Sequence, residues 1–412
     1  MNLEAAELPR QILVRSHWQD INLGDVAHTI GMLSVLKRFI PSARVIIWPW
    51  TRFTDEIRDW VLRRFPSAVI VEGSIESALS NPDEPENAKL LNAFMTSDLF
   101  LHASGPATLA WADMAMFKKL TGKPFGVCGV TYGLYGIPER QTLSEAAFVY
   151  FRDSRSLSKA RADGVSPAVI GFTPDVAFAF DMTDDERATS YLRSAGLEEG
   201  RYLCCIPRLR ATQFWLVPRK QTPFNPEKHQ RNELMKAHDH AQLLNAIIEV
   251  VRSTNFKVLV CPEDETQIAV GKEMLIDPLP ADVRGNVVWR DRFWMPDEAL
   301  AVYKRSAGLF GNEMHSPILC IGNGVPAIVC HSADTSTKGF MWQDIGLGQW
   351  LFDLDVPADY EQIIPAVLSM ISDPDDARAN ALTAKAKVWS HYAEMGEMIQ
   401  KTLNSTTVKP SN

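Results

Sequence analysis

The sequence predicts an α/β protein of two Rossmann-like domains, because short apolar segments alternate with helical patterns along its 412 residues. One series of segments ends before residue 180, and a second begins near residue 200. Segments rich in Val, Ile and Phe and bounded by Pro, Gly or Asp are typical of buried strands. Strands that alternate with helices form parallel sheets, and a chain of this length has room for two domains of ~100–200 residues.

The predicted strands of the first series cover residues 11–15, 44–50, 67–73, 98–104 and 123–130, with helices at 25–39 and 107–120. Those of the second series cover residues 201–207, 256–262, 286–289, 307–312 and 325–330, with helices near 239–252, 264–275 and 296–305. In each predicted helix apolar residues recur every three or four positions. We therefore expect two parallel sheets, each covered by helices.

The predicted organisation has an N-terminal α/β domain at 1–180, a linker at 181–200 and a C-terminal α/β domain at 201–356. The linker assignment depends on the acidic stretch DMTDDERATSYLRSAGLEEG. Asp373 and Pro374 suit the cap and first turn of a final helical region, 357–405, which we expect to pack back on the first domain. Residues 406–412 are expected to form a frayed tail.

Composition excludes several classes of protein. A content of 46% hydrophobic and 22% charged residues is that of a soluble globular chain. The net charge of -8 argues against a general nucleic-acid surface, and no apolar run reaches the ~18 residues of a membrane span. The polar start MNLEAAELPR and six cysteines without a CxxC pair predict a cytoplasmic protein with reduced thiols and no metal site.

In open parallel sheets ligands bind beyond the carboxyl ends of the strands, so the residues there are the candidates for a site. After the first strand, Asn22, Gly24 and Asp25 open a helix whose free N–H groups suit an anion or sugar hydroxyls; an ordinary helix cap is the alternative. After the fourth strand, Ser104 and Gly105 permit close approach of a ligand to the backbone, or form a simple tight turn.

Three basic residues follow strands of the second series. Arg208 and Arg210 suit a phosphate or carboxylate, because the guanidinium group binds such anions in a two-pronged manner. Lys338 lies among small hydroxyl residues and could neutralise a phosphate. The alternative for all three is a surface position with carboxylate or solvent neighbours.

The stretch GLFGNEMHSPILCIGNGVPAI places an acid and a histidine at the end of a strand. We predict Ser316 as the cap of a helix and His315 at its mouth, where anions are favoured. If the chain stays extended up to His315, Glu313 projects to the same side and could be its partner in acid–base chemistry. Alternatively, Glu313 forms a structural salt bridge.

An ordered series of motifs in this chain resembles the polysaccharide pyruvyl transferase family. The matching segments are NLGD at 22–25, KPFGVCGVTYG at 123–133, FRDSRSLSKARADGV at 151–165, PDVAF at 174–178, the strand ending at Arg208, and the His-Ser followed by GVPAI. The similarity spans roughly residues 12 to 355. The sequence departs from the family at Glu313, where an arginine is common, and at HASGPATL, where the family has a run of glycines.

This resemblance implies a fold like that of the B-type glycosyltransferases, with two domains facing a cleft, the acceptor on the N-terminal side and the donor on the C-terminal side. It implies phosphoenolpyruvate as co-substrate, no other cofactor, and a carbohydrate diol as acceptor. His315 matches the family's catalytic histidine and Arg208 its arginine after the strand. Three other functions stay open: a nucleotide-sugar-dependent glycosyltransferase, a pyruvyl-ketal hydrolase and a non-catalytic sugar-binding member. The oligomeric state, the acceptor and the direction of the reaction are left open by the sequence.

Overall fold

The computed structural model describes residues 9–16, 22–133 and 136–405. These residues form two compact units. The first contains residues 9–16, 28–176 and 390–405, and the second contains residues 22–27 and 177–389. Residues 22–27, which the sequence placed in the N-terminal domain, thus group with the second unit. The predicted tail at 406–412 lies outside the described residues.

The first unit contains a seven-stranded sheet in the order β3-β2-β1-β4-β5-β6-β7. Its strands are β1 (Gln11–Ser16), β2 (Arg44–Pro49), β3 (Val69–Ile70), β4 (Leu99–Gly105), β5 (Phe125–Val130), β6 (Phe148–Phe151) and β7 (Ile170–Phe172). All the neighbouring pairs are parallel. Five of these strands follow the predicted segments; β6 and β7, of four and three residues, were not predicted.

Seven helices connect these strands: α1 (Leu23–Phe39), α2 (Asp55–Arg64), α3 (Ile75–Ser80), α4 (Pro85–Thr96), α5 (Trp111–Thr121), α6 (Ile137–Ser144) and α7 (Ser154–Ala162). Aromatic side chains fill the core of the first unit. Phe94 packs edge-on against Phe117, with ring centroids 5.3 Å apart, and Phe100 lies 5.5 Å from the same ring. All three are fully buried, so truncating any of them is expected to cost ~3–5 kcal/mol of stability.

The second unit contains a six-stranded sheet in the order β10-β9-β8-β11-β12-β13. Its strands are β8 (Tyr202–Ile206), β9 (Lys257–Val260), β10 (Val287–Trp289), β11 (Gly308–Gly311), β12 (Ala327–His331) and β13 (Leu351–Asp353). All the neighbouring pairs are parallel. Because β8 lies between β9 and β11, the strand order reverses at the β8–β11 pair, where doubly wound sheets bind ligands.

Among the described residues after β7, nine α-helices are present: α8 (Asp185–Ala195), α9 (Pro226–Ser253), α10 (Gln267–Gly271), α11 (Ala281–Arg284), α12 (Pro296–Tyr303), α13 (His315–Gly322), α14 (Met341–Asp344), α15 (Pro357–Ser372) and α16 (Pro374–Ser405). One π-turn, Lys272–Ile276, continues α10. The predicted linker at 181–200 contains α8, which packs against α12 within the second unit. No helix in the described part of the chain is long and apolar enough to cross a membrane.

Helix α9 begins much earlier than the sequence predicted. Asn225 is its cap and accepts a hydrogen bond from the backbone N–H of Lys228, followed by a proline in the first turn. The predicted start near residue 239 therefore lies in the middle of this 28-residue helix. By contrast, Pro374 begins α16 as predicted, and the Asp373 side chain accepts from the N–H of Asp376.

The six cysteines are buried, as their apolar surroundings predicted, and none of them forms a disulfide in the structure.

Candidate active site

The candidate site lies at the carboxyl edge of the second sheet, where polar side chains follow four of its strands. Arg208 follows β8, Glu263 follows β9, Glu313 and His315 follow β11, and Lys338 follows β12. Lys338 and the three groups after β9 and β11 are buried, and Arg208 is 17% exposed. The site therefore coincides with the reversal of strand order at β8–β11.

His315 is the first residue of α13 and is paired with a carboxylate that the sequence analysis did not single out. Its Nδ1 lies 3.0 Å from Oε1 of Glu263, which is fully buried. A carboxylate that accepts the Nδ1 proton orients the ring and directs Nε2 toward chemistry.

The cap of α13 differs from the predicted one. Met314 stands at the cap position, and Ser316 is the second residue of the helix. The backbone N–H of Ser316 donates to Oε2 of Glu263 at 2.6 Å. The helix N-terminus that was expected to bind a substrate anion is thus occupied by the carboxylate of Glu263.

The backbone predicted between Glu313 and His315 is not extended, although a carboxylate oxygen of Glu313 and a ring nitrogen of His315 lie within 4.8 Å of each other. Strand β11 ends at Gly311, so the chain between Gly311 and His315 does not continue as a strand. The two side chains therefore do not follow the alternation of a strand, and each has its own partner.

Glu313 is paired with Arg208, as the structural alternative expected. Its Oε1 lies 3.1 Å from Nε of Arg208, and its Oε2 accepts from the backbone N–H of Met314 at 3.0 Å. Burial raises the pKa of the Glu313 carboxyl; Arg208 opposes this shift, Glu263 adds to it, and Lys338 opposes it. The site thus holds a carboxyl that retains its proton more readily than an exposed glutamate does.

The NLGD segment holds the residues around His315. Asn22 accepts a hydrogen bond from the N–H of Gly24 at 2.8 Å and forms an isolated antiparallel bridge with Asp264. A Cβ on Gly24 would lie 2.2 Å from the imidazole of His315. Asp25 lies in the first turn of α1 and is half-buried. The structure therefore gives Asn22 and Gly24 positioning contacts around His315, and their role in binding a ligand stays a prediction.

Arg210 is removed from the candidate anion site by its partners. Its guanidinium donates to Asp239 at 2.8 and 2.9 Å, to Asp334 at 2.9 Å and to Asp355 at 2.6 and 3.2 Å. The hydrogen bonds with Asp239, followed by those with Asp355 and Asp334, hold the pKa of Arg210 above its ordinary value against the effect of burial. This arginine cross-links helix α9 to the loops that contain Asp334 and Asp355.

Lys338 lies in a 3₁₀ turn, Thr337–Phe340, and is buried. Its charge opposes the rise in the pKa of Glu313, which places it in the electrostatic environment of the site. Of the three residues predicted to bind an anion, Arg208 and Lys338 thus act on Glu313, whereas Arg210 is held by three aspartates.

Ser104 and Gly105 belong to the first unit, where the structure gives Ser104 a structural contact. The Ser104 hydroxyl accepts from the backbone N–H of Val176 at 3.1 Å. Ser104 is fully buried and has a φ of 40°, a left-handed conformation that is strained for serine. The carbonyl of Gly105 accepts from the N–H of Thr131. These contacts join the loops after the strands of the first sheet.

Three polar residues of the site were missed by the sequence analysis: Glu263, Asp264 and Gln267. All are buried. Burial raises the pKa of Asp264 to about 7, while its hydrogen bond from the Thr266 hydroxyl opposes the shift and the charge of Glu313 adds to it. The sequence does contain a signal for these residues, because CPED lies at the end of a predicted strand, as do the segments that contain Arg208 and Glu313.

Glu263, Glu313 and His315 present ligand atoms that all lie within 4.8 Å of one another, which would suit a metal ion. The same groups have other partners: Arg208 lies beside Glu313, and Glu263 accepts the N–H of Ser316. The positive charge of Arg208 opposes cation binding at this point. The arrangement fits proton transfer better than metal coordination.

The model of the polysaccharide pyruvyl transferase family matches residues 22–332, which is well over half of the chain. The chain belongs to the polysaccharide pyruvyl transferase family. A search of curated protein sequences found no match. In this pyruvyl transferase family member, two segments have a physical account: NLGD packs against His315, and CPED supplies the partner of His315.

Solved structures show the fold of this pyruvyl transferase family member to be that of B-type glycosyltransferases. The S. aureus protein MnaA with UDP has a TM-score of 0.58 and 12% identity, with 98% of this chain and 99% of that chain covered. The UDP-GlcNAc 2-epimerase of Neisseria meningitidis gives 0.55 and 12%, covering 96% and 99%. UGT71G1 of Medicago truncatula, complexed with UDP-glucose, gives 0.54 and 10%, covering 96% and 98%.

Two further family motifs act within the fold of the first unit. Arg152 of the RDxxS segment donates to Asp175 of the PD segment at 2.6 Å, and both are almost fully buried. Asp153 caps α7 by accepting the N–H of Ser156 at 2.7 Å, and the Ser156 hydroxyl accepts from the N–H of Tyr132. The PDVAF segment runs into a 3₁₀ turn, Val176–Ala179.

Proposed function

We propose that this protein transfers the pyruvyl group of phosphoenolpyruvate to two hydroxyls of a glycan or glycan precursor, forming a pyruvate ketal. The observation that carries the proposal is the pair of acid–base groups at one sheet edge: the His315–Glu263 pair and the Glu313–Arg208 pair. Family membership supports the reaction class. The fold supports a carbohydrate-processing enzyme only by analogy.

His315 serves as the general base. Glu263 accepts the proton on Nδ1, so Nε2 can take a proton from an acceptor hydroxyl. The negative charge of Glu263 also stabilises the imidazolium that forms. A positioned base of this kind contributes ~10²–10⁴ to the rate.

Glu313 serves as the general acid. An enol phosphate must be protonated at its methylene carbon, which requires a neutral acid close to the donor. Burial raises the pKa of Glu313, and a bound anionic donor would raise it further. Donor binding also draws Arg208 from Glu313 to the donor, so the acid gains its proton as the arginine gains a new partner.

The proton transfers balance without a further reactant. Glu313 gives its proton to C3 of phosphoenolpyruvate while the oxygen of the first hydroxyl bonds to C2 and its proton passes to His315. The C2–O bond to phosphate then breaks, and His315 returns its proton to the leaving phosphate. The second hydroxyl bonds to C2 and gives its proton to the Glu313 carboxylate. The products are the ketal and hydrogen phosphate.

Donor binding is assigned to Arg208 and Lys338. Both are cations at the sheet edge, and Lys338 acts on the charge of Glu313. Asn22, Gly24 and Ser316 remain in the site as positioning residues, and Asp25, in the first turn of α1, remains a candidate contact for the acceptor. Arg210, Ser104 and Gly105 leave the proposed binding set because their polar groups serve the fold.

The test uses phosphoenolpyruvate with a panel of glycans carrying vicinal or 1,3-diols. Phosphate release must depend on the glycan, and the product must gain the mass of one pyruvate less one water. Arg208→Gln should abolish donor binding, and Arg219→Gln serves as control, because Arg219 is exposed and pairs with Glu265. Donor binding that persists in Arg208→Gln would contradict this assignment.

A second candidate, hydrolysis of a pyruvyl ketal, is favoured by one observation. The charge of Arg208 is already partly neutralised by Glu313. The pair therefore suits a ligand with one carboxylate better than a donor that carries both a carboxylate and a phosphate. The same acid–base pair would protonate a ketal oxygen and activate water. Release of pyruvate from a pyruvylated glycan without phosphate consumption would identify this direction. A nucleotide-sugar donor has less support, because α13 carries no acidic residue for ribose.

A further inference from the structure

A single amide side chain joins the two halves of the candidate site. Gln267 is the first residue of α10 and is buried. Its Oε1 accepts from the backbone N–H of Glu263 at 2.7 Å and, more weakly, from that of Asp264 at 3.3 Å. Its Nε2 donates to Oε1 of Glu313 at 2.9 Å. A fourth contact, from Nε2 to the Asp264 carboxylate, is 3.4 Å long.

The two ends of this amide have different consequences. The oxygen end fixes the backbone of Glu263, whose carboxylate orients His315. The nitrogen end donates to Glu313 and therefore favours its ionised form. Glutamine is suited to this place because its uncharged amide offers an acceptor and a donor in one plane.

We infer that Gln267 is a positioning residue that couples the His315–Glu263 base to the Glu313 acid, through its oxygen on one side and its nitrogen on the other. The inference rests on the proposed function for its effect on turnover. The expected effects of Gln267 on the tautomer of His315 and on the titration of Glu313 do not depend on that function. The alternative is that Gln267 only satisfies buried backbone groups.

Two substitutions separate the ends of the amide. Gln267→Glu has the same shape and keeps an oxygen for the N–H of Glu263, but replaces the donor that faces Glu313. Gln267→Met keeps much of the volume and removes both ends. Gln230→Glu makes the same change on an exposed residue of α9 and serves as control.

Turnover and its pH dependence provide the first readout. Both Gln267 variants should lower the rate by at least about tenfold, which is part of the ~10²–10⁴ that a positioned acid or base contributes. Because each removes a hydrogen bond that favours the Glu313 carboxylate, the alkaline limb of the rate should move to higher pH. If the variants changed only the stability of the protein, the alkaline limb of the pH–rate profile would stay at its wild-type pH.

NMR of the side chains provides a readout that needs no turnover. With labelled histidine, Gln267→Met should convert His315 from one Nδ1-protonated tautomer to a mixture, whereas Gln267→Glu should keep it. With labelled glutamate, the titration of Glu313 should move to higher pH in both variants. An unchanged His315 spectrum in Gln267→Met, or an unchanged Glu313 titration in Gln267→Glu, would overturn the inference. If the shifts occur in a protein without pyruvyl transfer, only the proposed function fails.

Discussion

The backbone of Gly24 lies against the imidazole of His315, so closely that a Cβ on Gly24 would be 2.2 Å from two ring atoms. Position 24 therefore excludes every side chain while His315 keeps its place. The glycine of NLGD and the histidine of EMHS, which are far apart in sequence, thus form one structural unit.

Gly24→Ala should separate the position of His315 from the rest of the fold. The added methyl group forces the ring away from Glu263, so we expect turnover to fall about a hundredfold, within the range for a positioned base. Overpacking of this size costs ~1–3 kcal/mol, so the protein should still fold. Gly285→Ala is the control, because no atom lies within 4 Å of its ideal Cβ. Wild-type turnover in Gly24→Ala would contradict this contact.

Glu263→Gln should reduce turnover without abolishing donor binding. The amide keeps the shape of the side chain but removes the negative charge of Glu263. That charge stabilises the His315 imidazolium and strengthens the hydrogen bond from the N–H of Ser316. We expect a loss of ~10²–10⁴ in rate with little change in the dissociation constant of phosphoenolpyruvate. Glu265→Gln, at the half-buried partner of Arg219, should behave as wild type. Equal losses of turnover in Glu263→Gln and Glu265→Gln would show that the loop after β9 contributes only to stability.

The sequence predicts more of the fold than of the site. Long apolar strands such as β1 and β4 are visible because each is a buried run between polar boundaries. Strand β13, with three residues, and β7, also with three, are too short to show a period. The early start of α9 does carry a local signal, the Asn225 cap followed by Pro226, which the predicted start near residue 239 overlooked.

Within the site, the sequence identifies residue types but not their partners. The rule of strand ends selected Arg208, Glu313 and His315, and the structure places all three at one sheet edge. It did not predict that Glu313 faces Arg208 while His315 faces Glu263, because that pairing depends on how the chain turns after β11. The aspartates around Arg210 come from 29 to 145 residues away, beyond any local pattern.

Asp264→Asn should change how stability depends on pH. Burial raises the pKa of Asp264 from 3.8 to about 7, so between these values the folded state holds a proton that the unfolded state has released. The contribution of Asp264 to the free energy of unfolding is therefore present at low pH and is lost as the pH rises from 3.8 toward 7. The loss is ~1.4 kcal/mol for each pH unit in this range. Urea unfolding should find Asp264→Asn more stable than wild type at pH 8 and closer to it at pH 5.

The control for this measurement is Asp291→Asn, since Asp291 is exposed and its substitution should leave the pH dependence of wild type unchanged. A wild-type protein whose stability rises between pH 5 and pH 8 relative to Asp264→Asn would contradict the assigned direction.

Arg152→Met should destabilise the first unit. The Arg152–Asp175 ion pair is almost fully buried, and the guanidinium also donates to the Thr131 hydroxyl. Removing one partner leaves a buried charge, so unfolding should become easier by ~3–5 kcal/mol. Arg161→Met, on an exposed residue of α7, is the matched control. A melting temperature equal to that of the control would show that the RDxxS arginine is not needed for folding.

Glu313→Gln tests whether the departure from the family's usual arginine has a catalytic purpose. The amide keeps the shape of the side chain but has neither the acidic proton of the neutral carboxyl nor the charge of the carboxylate. Arg208, no longer facing a carboxylate, should bind the donor more strongly, so calorimetry should give an unchanged or lower dissociation constant for phosphoenolpyruvate. Turnover should nevertheless fall at least about a hundredfold, because no other group would protonate the methylene carbon. If binding weakens and turnover persists, Glu313 holds Arg208 in place and the acid lies elsewhere.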